Sequence, residues 1–409
     1  MTADGGPASP GRPPRGGQSP GVSWPAFLRD VLICSLGAYG GPEAHLGVFL
    51  DQMVAKRKYL QEEELVELLA LCSILPGPTS TQTIVAIGHK MGGPWLALLT
   101  MLVWSGPVLA IMTALSFLYA ALATAHVSAD ILRFVGPMAV GFIILAAWRI
   151  GRKVVTDRTT LALMLTGAVS TYCLRSPWIF PLVLVFGGAV SLLTSREKGL
   201  WNKVVLSPPW RYLLLFALFA FGTLAVSWVT DWRLPELFER FYRYGYLVFG
   251  GGQVVVPLMH SELVELKNHM TNAEFLTGYG LVQGLPGPMF SFAAYAGGLA
   301  ARGGSALHQV LGALAGGVGI FLPGVLLIYF VYPVWEGVKK VRAVKVSLRG
   351  INAVAGGMIA VAAVILAQAN GFGVANLVMT VLTVATLATR KVPAPIIVIL
   401  ALAAGVAFT

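Results

Sequence analysis

The tetrapeptide LPGP stands at Leu75-Pro76-Gly77-Pro78 and again at Leu285-Pro286-Gly287-Pro288, 210 positions later, each time inside a long apolar run. Its two prolines remove two backbone donors and clash with the carbonyls of the preceding turn, while the glycine between them opens dihedrals that other residues avoid. Each copy therefore breaks a helix that its surroundings would otherwise continue. The same offset of 210 carries Gly40-Gly41 onto Gly250-Gly251, Glu64 onto Glu274, Leu71 onto Leu281 and Gly88 onto Gly298, without a gap from Tyr39 to Gly88. A register kept that long marks a duplicated unit. Farther on, Pro107 finds its match in Pro323, after a drift of six residues in the loop between.

Around the repeat the composition is 56% hydrophobic and only 11% charged over 409 residues, against about 25% charged in soluble domains. Mean hydropathy is +0.75. Apolar runs near the ~20 residues that cross a bilayer recur along the chain. They lie near 25–50, 65–88, 94–121, 131–150, 159–174 and 177–194, then 211–229, then 244–266, 274–300, 307–335, 350–370, 372–388 and 392–408. The pattern predicts an all-α polytopic membrane protein with about 10–13 transmembrane helices in two homologous, inverted halves whose helices are broken at Pro-Gly-Pro. We place a Pro/Gly-rich disordered arm at 1–23, the first repeat at 24–194, a linker with one span at 195–243 and the second repeat at 244–409. The arm lacks the apolar core of a signal peptide and is expected in the cytoplasm.

Equivalent helices are then seven crossings apart, so the halves should face opposite ways. Basic residues test this parity. Arg149, Arg152, Lys153 and Arg158, then Arg196, Lys198, Lys203 and Arg211, then Lys339, Lys340, Arg342, Lys345 and Arg349 fall on one side, which the positive-inside rule makes cytoplasmic. Lys56, Arg57 and Lys58 fall on the other; a first span that dips without crossing would remove the conflict. The net charge of +11 is thus read as topology rather than nucleic-acid binding. Cys34, Cys72 and Cys173 lack metal or redox spacing and are read as packing residues.

A helix interrupted at membrane depth must face protein or a wet cavity, because lipid cannot satisfy its free backbone groups. The half-helix after each break points free N–H groups and a positive dipole end into that cavity, which suits an oxyanion without a buried Lys or Arg. Paired broken helices in two repeats mark a shared substrate site. The candidates are Pro76, Gly77 and Pro78 with Thr79, Ser80, Thr81 and Gln82 in the first half. In the second they are Gln283, Pro286, Gly287, Pro288 and Ser291. Gly40-Gly41 and Gly250-Gly251-Gly252 with Gln253 form the other paired element, read as exposed backbone donors or as close helix packing. Glu43, His45, Glu64 and Glu274 are the candidates for proton coupling, although Glu64 and Glu274 also sit where a first-turn carboxylate simply complements the helix dipole. His89, Lys90, Arg302 and His308 near span ends are expected to snorkel to the interface. No GxxxxGK[ST], HExxH, CxxC or GxSxG pattern is present, which argues against an ATP-driven pump or an enzyme, and no cofactor or metal is expected.

At these residues the sequence resembles the chromate ion transporter family in its long, two-domain form. GGPEAHL (Gly40 to Leu46), KRKYL (Lys56 to Leu60), the acidic stretch before Leu65, LPGPTSTQ (Leu75 to Gln82) and Gly88 carry the likeness in the first half. VFGGGQVVVPL (Val248 to Leu258), Glu274-Phe275, LPGP with its following Phe-Ser, and FLPG (Phe321 to Gly324) carry it in the second. Tyr39 stands where the family has Phe, and His269 where Trp is common. The resemblance implies secondary, proton- or potential-driven efflux of chromate across the plasma membrane, conferring chromate resistance. Sulfate, a tetrahedral dianion of similar size, is the competing substrate, and uptake the competing direction. The lipid bilayer is the expected partner, with a homodimer left open.

Overall fold

The computed structural model describes residues 22–124, 131–174, 179–197, 199–201, 204, 206–249, 253 and 255–408, without the side chains of 42, 43, 123 and 124. Residues 1–21 of the expected N-terminal arm and Gly250, Gly251 and Gly252 therefore lie outside the described residues. The first repeat runs through α1 (Trp24–Gly37), α2 (Pro42–Phe49), α3 (Glu62–Ile74), α4 (Thr79–Thr124), α5 (Val135–Val154), α6 (Arg158–Leu174) and α7 (Ile179–Thr194). After α8 (Trp210–Val229), the second runs through α9 (Arg233–Leu247), α10 (Val255–His260), α11 (Asn272–Gln283), α12 (Phe292–Ala300) and α13 (Ala306–Val331). Past the short α14 (Trp335–Val338) follow α15 (Arg342–Asn370), α16 (Val374–Ala388) and α17 (Ala394–Ala407). The described residues are helices and their connections. Among the described residues, five helices are individually long and apolar enough to span a membrane: α4, α5, α8, α15, and α13 with its extension to Val338.

The first two apolar runs of each half do not cross as single helices. They fold into hairpins. After α1 the backbone turns at Gly40 (φ +88°) and Gly41 (φ +91°), which a side chain would resist, and Pro42 starts α2 at the position where its missing N–H costs nothing. The returning arm ends in a π-helical stretch, Leu50–Lys56. It comes back beside its start, because buried Asp30 of α1 accepts from Gln52 Nε2 (3.0 Å), Arg57 Nη2 (2.9 Å) and Tyr59 O–H (2.7 Å). The second hairpin is α3 and the first part of α4 with LPGP at its tip. Leu75 is extended (ψ 145°) as a residue before proline should be, and Gly77 takes φ +123°. Its open ends are joined by a Glu64–Lys90 ion pair. Gly92 and Gly93 then kink α4 where Pro94 restarts it.

The second half repeats these devices. Ser261–Leu266 is again π-helical, Asn268 (φ +50°) matches Lys58 (φ +53°), and Arg302 pairs with Glu274 as Lys90 does with Glu64. Its α9–α10 hairpin is pinned with the charges reversed: Arg240 and Arg243 of α9 both engage Glu262, at positions where the first half has Asp30, Ile33 and Gln52. After the second LPGP, one 3-10 turn (Met289–Ser291) precedes α12, whereas α4 starts directly at Thr79.

The halves interlock through their remaining helices. α15 packs against α6 and α7 of the first half, and α5 packs against α16, α17 and α11 of the second. Glycines allow the close approach: a Cβ on Gly357 would lie 1.9 Å from the Met164 carbonyl, and one on its counterpart Gly141 3.0 Å from the Thr380 carbonyl.

One expectation needs correction. Lys56, Arg57 and Lys58 do not fall on the side opposite the other basic loops. The α1–α2 hairpin returns them to the end where Glu67 of α3 pairs with Lys339, which is also where Arg349 reaches Asp157 and Thr156. Near the span ends, Lys90 and Arg302 each pair with the glutamate of their own hairpin. The helix α13 begins just after Arg302, at the open end of the second half's hairpins, and leads to Tyr332 and Trp335. Those residues lie by Glu64 and Glu67 at the open end of the first half's.

Candidate functional site

The hairpin tips of the two halves meet, and they meet reciprocally. The Gly77 N–H donates to the Val248 carbonyl at 2.7 Å, and the Gly287 N–H donates to the Ala38 carbonyl at 2.8 Å. Val248 and Ala38 are themselves 210 positions apart, each just before a glycine motif. Each LPGP tip is thus bound to the opposite half, at the residue two positions before its glycine motif.

Side chains pack around this crossing. Gln82, one turn into α4, reaches back so that its Nε2 donates to the Pro76 carbonyl at 2.8 Å, and it lies against Gly324 of α13. Gly287 in turn lies against Val108, the position in α4 that matches Gly324 after the six-residue drift, and near Ser35. Ser80 and His45 Nδ1 are 3.0 Å apart, and the His45 ring also faces the Ala38 carbonyl that Gly287 occupies. Trp104 Nε1 donates to Thr81 Oγ1 (3.2 Å), and the Trp104 ring meets His45 edge to face at 5.4 Å. Ser35 Oγ donates to the Trp104 carbonyl at 2.7 Å.

Beside the second LPGP the polar set is different. Buried Tyr279 of α11 donates to Gln253 Oε1 and interacts with Gln283, while Gln253 Nε2 contacts Met289 Sδ at 3.7 Å. An apolar cavity lined by Val255, Met259, Tyr279, Met289 and Phe290 adjoins it, with about 10 Å³ open to the centre of a water molecule, which is room for one water.

Four buried polar atoms here make no hydrogen bond: His45 Nε2, Gln82 Oε1, Gln283 Nε2 and Ser291 Oγ. Burying such a group without a partner costs about 1–3 kcal/mol, so their concentration on residues of these tips is a feature to be explained. The tautomer of His45 sets the direction of its contact with Ser80; in the one where Ser80 donates to Nδ1, His45 Nε2 joins Gln283 Nε2 and Ser291 Oγ as a neutral donor. The Thr79 carbonyl accepts from Thr83 Oγ1 at 2.8 Å.

The structure thus gathers Gly40, Gly41, His45, Pro76, Gly77, Pro78, Ser80, Thr81 and Gln82 with Pro286, Gly287 and Pro288, and sets Gln253, Gln283 and Ser291 beside them. Glu64 and Glu274 are placed elsewhere. Each closes a capping box, holding the Gln61 N–H at 2.9 Å and the Thr271 N–H at 2.7 Å. Each lies about ten helical residues, roughly 15 Å at 1.5 Å per residue, from its LPGP. The side chain of Glu43 is outside the described residues. Trp104, Tyr279 and Ser35 were not anticipated. Their signal is asymmetry: the matching positions are Ile320, Leu69 and Gly245, so each is a polar group that the repeat does not require.

A family model described as chromate transporter matches residues 26–192 and 235–407. Across 364 residues the chain is 28% identical to the chromate transport protein of Pseudomonas aeruginosa, covering 88% of this chain and 84% of that one. It is 26% identical to the probable chromate transport protein of Synechococcus elongatus over 94% of this chain and 96% of the relative. It is 24% identical to the chromate transport protein of Cupriavidus metallidurans over 91% and 89%. No solved structure matches. With both repeats matched and the motif residues gathered at one crossing of hairpin tips, the chain belongs to the chromate transporter family.

Proposed function

We propose that the protein exports chromate across the plasma membrane as a secondary transporter, and that the crossing of the four hairpin tips is its anion site. The reciprocal ties of Gly77 and Gly287, surrounded by buried donors without partners, carry this reading. A tetrahedral dianion offers only acceptors, so a site of neutral N–H and O–H donors plus the N-terminal end of α4 matches it, and no fixed cation must be neutralised on release.

The two hairpin sets open toward opposite ends of α13, which supports inverted halves and alternating access. Parting the Gly77–Val248 tie would open the site toward one side, and parting the Gly287–Ala38 tie toward the other. Among the described residues the cavity at the second tip has room for about one water, so on this reading an oxyanion enters by moving the tips. The clustering of basic loops near Lys339 and Arg349 supports a cytoplasmic assignment for that end and for the N-terminus. A potential negative inside is worth about 2.3 kcal/mol per charge per 100 mV, so a departing dianion gains roughly twice that and proton entry adds to it. Among the proton-coupling candidates His45 is the one joined to the tips; Glu64 and Glu274 support the hairpins that carry them.

Labelled chromate uptake into inside-out vesicles tests the reading. Accumulation that excess sulfate hardly reduces, and that Gly287→Leu abolishes without loss of membrane insertion, is expected. No accumulation overturns the function, and accumulation erased by equimolar sulfate reassigns the substrate.

A further inference from the structure

We propose that the seam between the ends of α5 and α16 binds the headgroup of an anionic phospholipid, whose phosphate joins the first half to the second at the end that carries the basic loops. The Arg149 side chain, near the end of α5, donates through Nη2 to the Leu387 carbonyl of α16 at 3.1 Å, and the same carbonyl accepts from the Arg390 N–H at 3.2 Å. Cations of both halves therefore share one corner: Arg149, Arg152 and Lys153 on α5, and Arg390 and Lys391 after α16, all exposed. The Arg152 guanidinium stands 5.8 Å from the centre of the Trp148 ring. Trp148 itself is 63% exposed, as suits an indole at the headgroup level of a bilayer.

Nearby carboxylates do not account for these cations. Between Asp130 and Glu197 the sequence holds one acidic side chain, Asp157, and after Glu336 it holds none. Asp157 is engaged by Arg349 and by the Thr160 N–H at 2.8 Å. Helix dipoles account for part of them, since a cation at a C-terminal turn complements the partial negative charge there, and Arg149 does so for α16 through the Leu387 carbonyl. The remaining cations, drawn from two distant segments and set at the lipid boundary, fit a group with several anionic oxygens. Basic pockets between helices hold such headgroups. Leading from the corner into the bilayer, α16 turns Leu377, Val378, Val381 and Leu382 outward, an apolar track for the acyl chains.

The repeat supplies an internal control. α15 packs against α6 as α5 packs against α16, with Gly357 at the contact in place of Gly141. At the positions matching Arg149, Arg152, Lys153 and Arg390, that other seam has Ile365, Gln368, Ala369 and Leu174, and Lys391 is matched by Arg175. Close packing of the two helices therefore does not need the cations. Topology asks only for basic loops on one side, not for those of two halves to converge on one carbonyl. The inference holds whatever anion the protein moves.

Lipid binding by the full chain in a neutral detergent provides the test, read by native mass spectrometry and by Tm, with no chromate present. Phosphatidylglycerol should stay bound and raise the Tm, whereas phosphatidylcholine with the same acyl chains, and inorganic phosphate at equal concentration, should do neither. Combining Arg149→Gln with Arg390→Gln should weaken phosphatidylglycerol binding about ten- to thirty-fold, at roughly five-fold per cation. Because Arg149 also holds the Leu387 carbonyl, Lys153→Gln with Lys391→Gln serves as the second pair; it leaves that contact in place and should weaken binding by a similar factor. Arg196→Gln with Arg211→Gln removes the same charge from other basic loops and should leave binding unchanged. Equal retention of phosphatidylcholine, an equal Tm rise with inorganic phosphate, or equal weakening by the Arg196 and Arg211 substitutions overturns the proposal.

Discussion

Replacing Gly77 by alanine tests the crossing of the tips most sharply, because the structure supplies both terms of its cost. The residue sits at φ +123°, and an added Cβ would lie 2.8 Å from Gln82 Nε2 and 3.2 Å from Gln82 Cδ. Holding a residue other than glycine in such a conformation costs about 1–3 kcal/mol. The long Gln82 side chain can move, but moving it breaks the bond to the Pro76 carbonyl, worth about 1 kcal/mol net. The closed arrangement should therefore lose about 2–4 kcal/mol, or roughly 30- to 700-fold in its population relative to states with the tips apart. On the proposed cycle, which passes through this arrangement at every turnover, chromate exchange in vesicles should fall by a comparable factor. Gly303→Ala is the control. It carries the same kind of strain (φ +94°) in an exposed turn with nothing within 4 Å, so it should lower thermal stability while leaving exchange intact. If Gly77→Ala exchanges chromate within two-fold of the unmodified protein, the tie between the halves is not part of the transport cycle.

Three further outcomes follow from the packing. Asp30→Ala strips the acceptor from Gln52, Arg57 and Tyr59 and should cost about 2–4 kcal/mol. This would appear as a drop in Tm that Asp30→Asn partly restores. Gly357→Ala drives a methyl into the Met164 carbonyl at 1.9 Å and should cost about 3 kcal/mol or more, whereas Gly222→Ala on exposed α8, with its nearest neighbour at 3.8 Å, should leave the Tm unchanged or raised. Asp157, before α6, is held below the usual carboxylate range by the Thr160 backbone N–H, then by the Thr160 hydroxyl and Arg349. Its contribution is present above the unfolded carboxylate value near ~3.9 and is lost as pH falls through the depressed one. Asp157→Asn should accordingly lower stability at neutral pH and flatten the acid end of a stability–pH curve; an unchanged curve would refute the linkage.

Much of this architecture was legible because it rests on backbone-breaking residues at a fixed offset. LPGP, the glycine pair and the capping glutamates recur 210 positions apart, and among the described residues each does what its local chemistry dictates. The destination of the broken ends was not legible. That Gly77 meets Val248 rather than a residue of its own half depends on how the halves cross, which no local pattern encodes. Nor could parity arguments place Lys56–Lys58, because a run such as 25–50 has the length of a span and only the turn at Gly40-Gly41 decides that it returns. Asp30 escaped notice inside an apolar stretch; its partners lie 22 to 29 residues away. Trp104 and Tyr279 became visible as site residues only through what they touch, although comparison of the two halves position by position would have singled them out.

The exchange of helices between the halves bears on how the chain is made. The α6–α7 hairpin finds its seat on α15, which begins at Arg342, well over a hundred residues after α7 ends at Thr194. At roughly 5–20 residues per second of synthesis, the first half waits on the order of 10–30 s in the bilayer with the glycine-lined faces of α6 and α7 turned to lipid. It is an incomplete object until its twin arrives, so neither half is a folding unit. A chain cut within the linker before α8 should regain structure only when both pieces are produced in the same membrane.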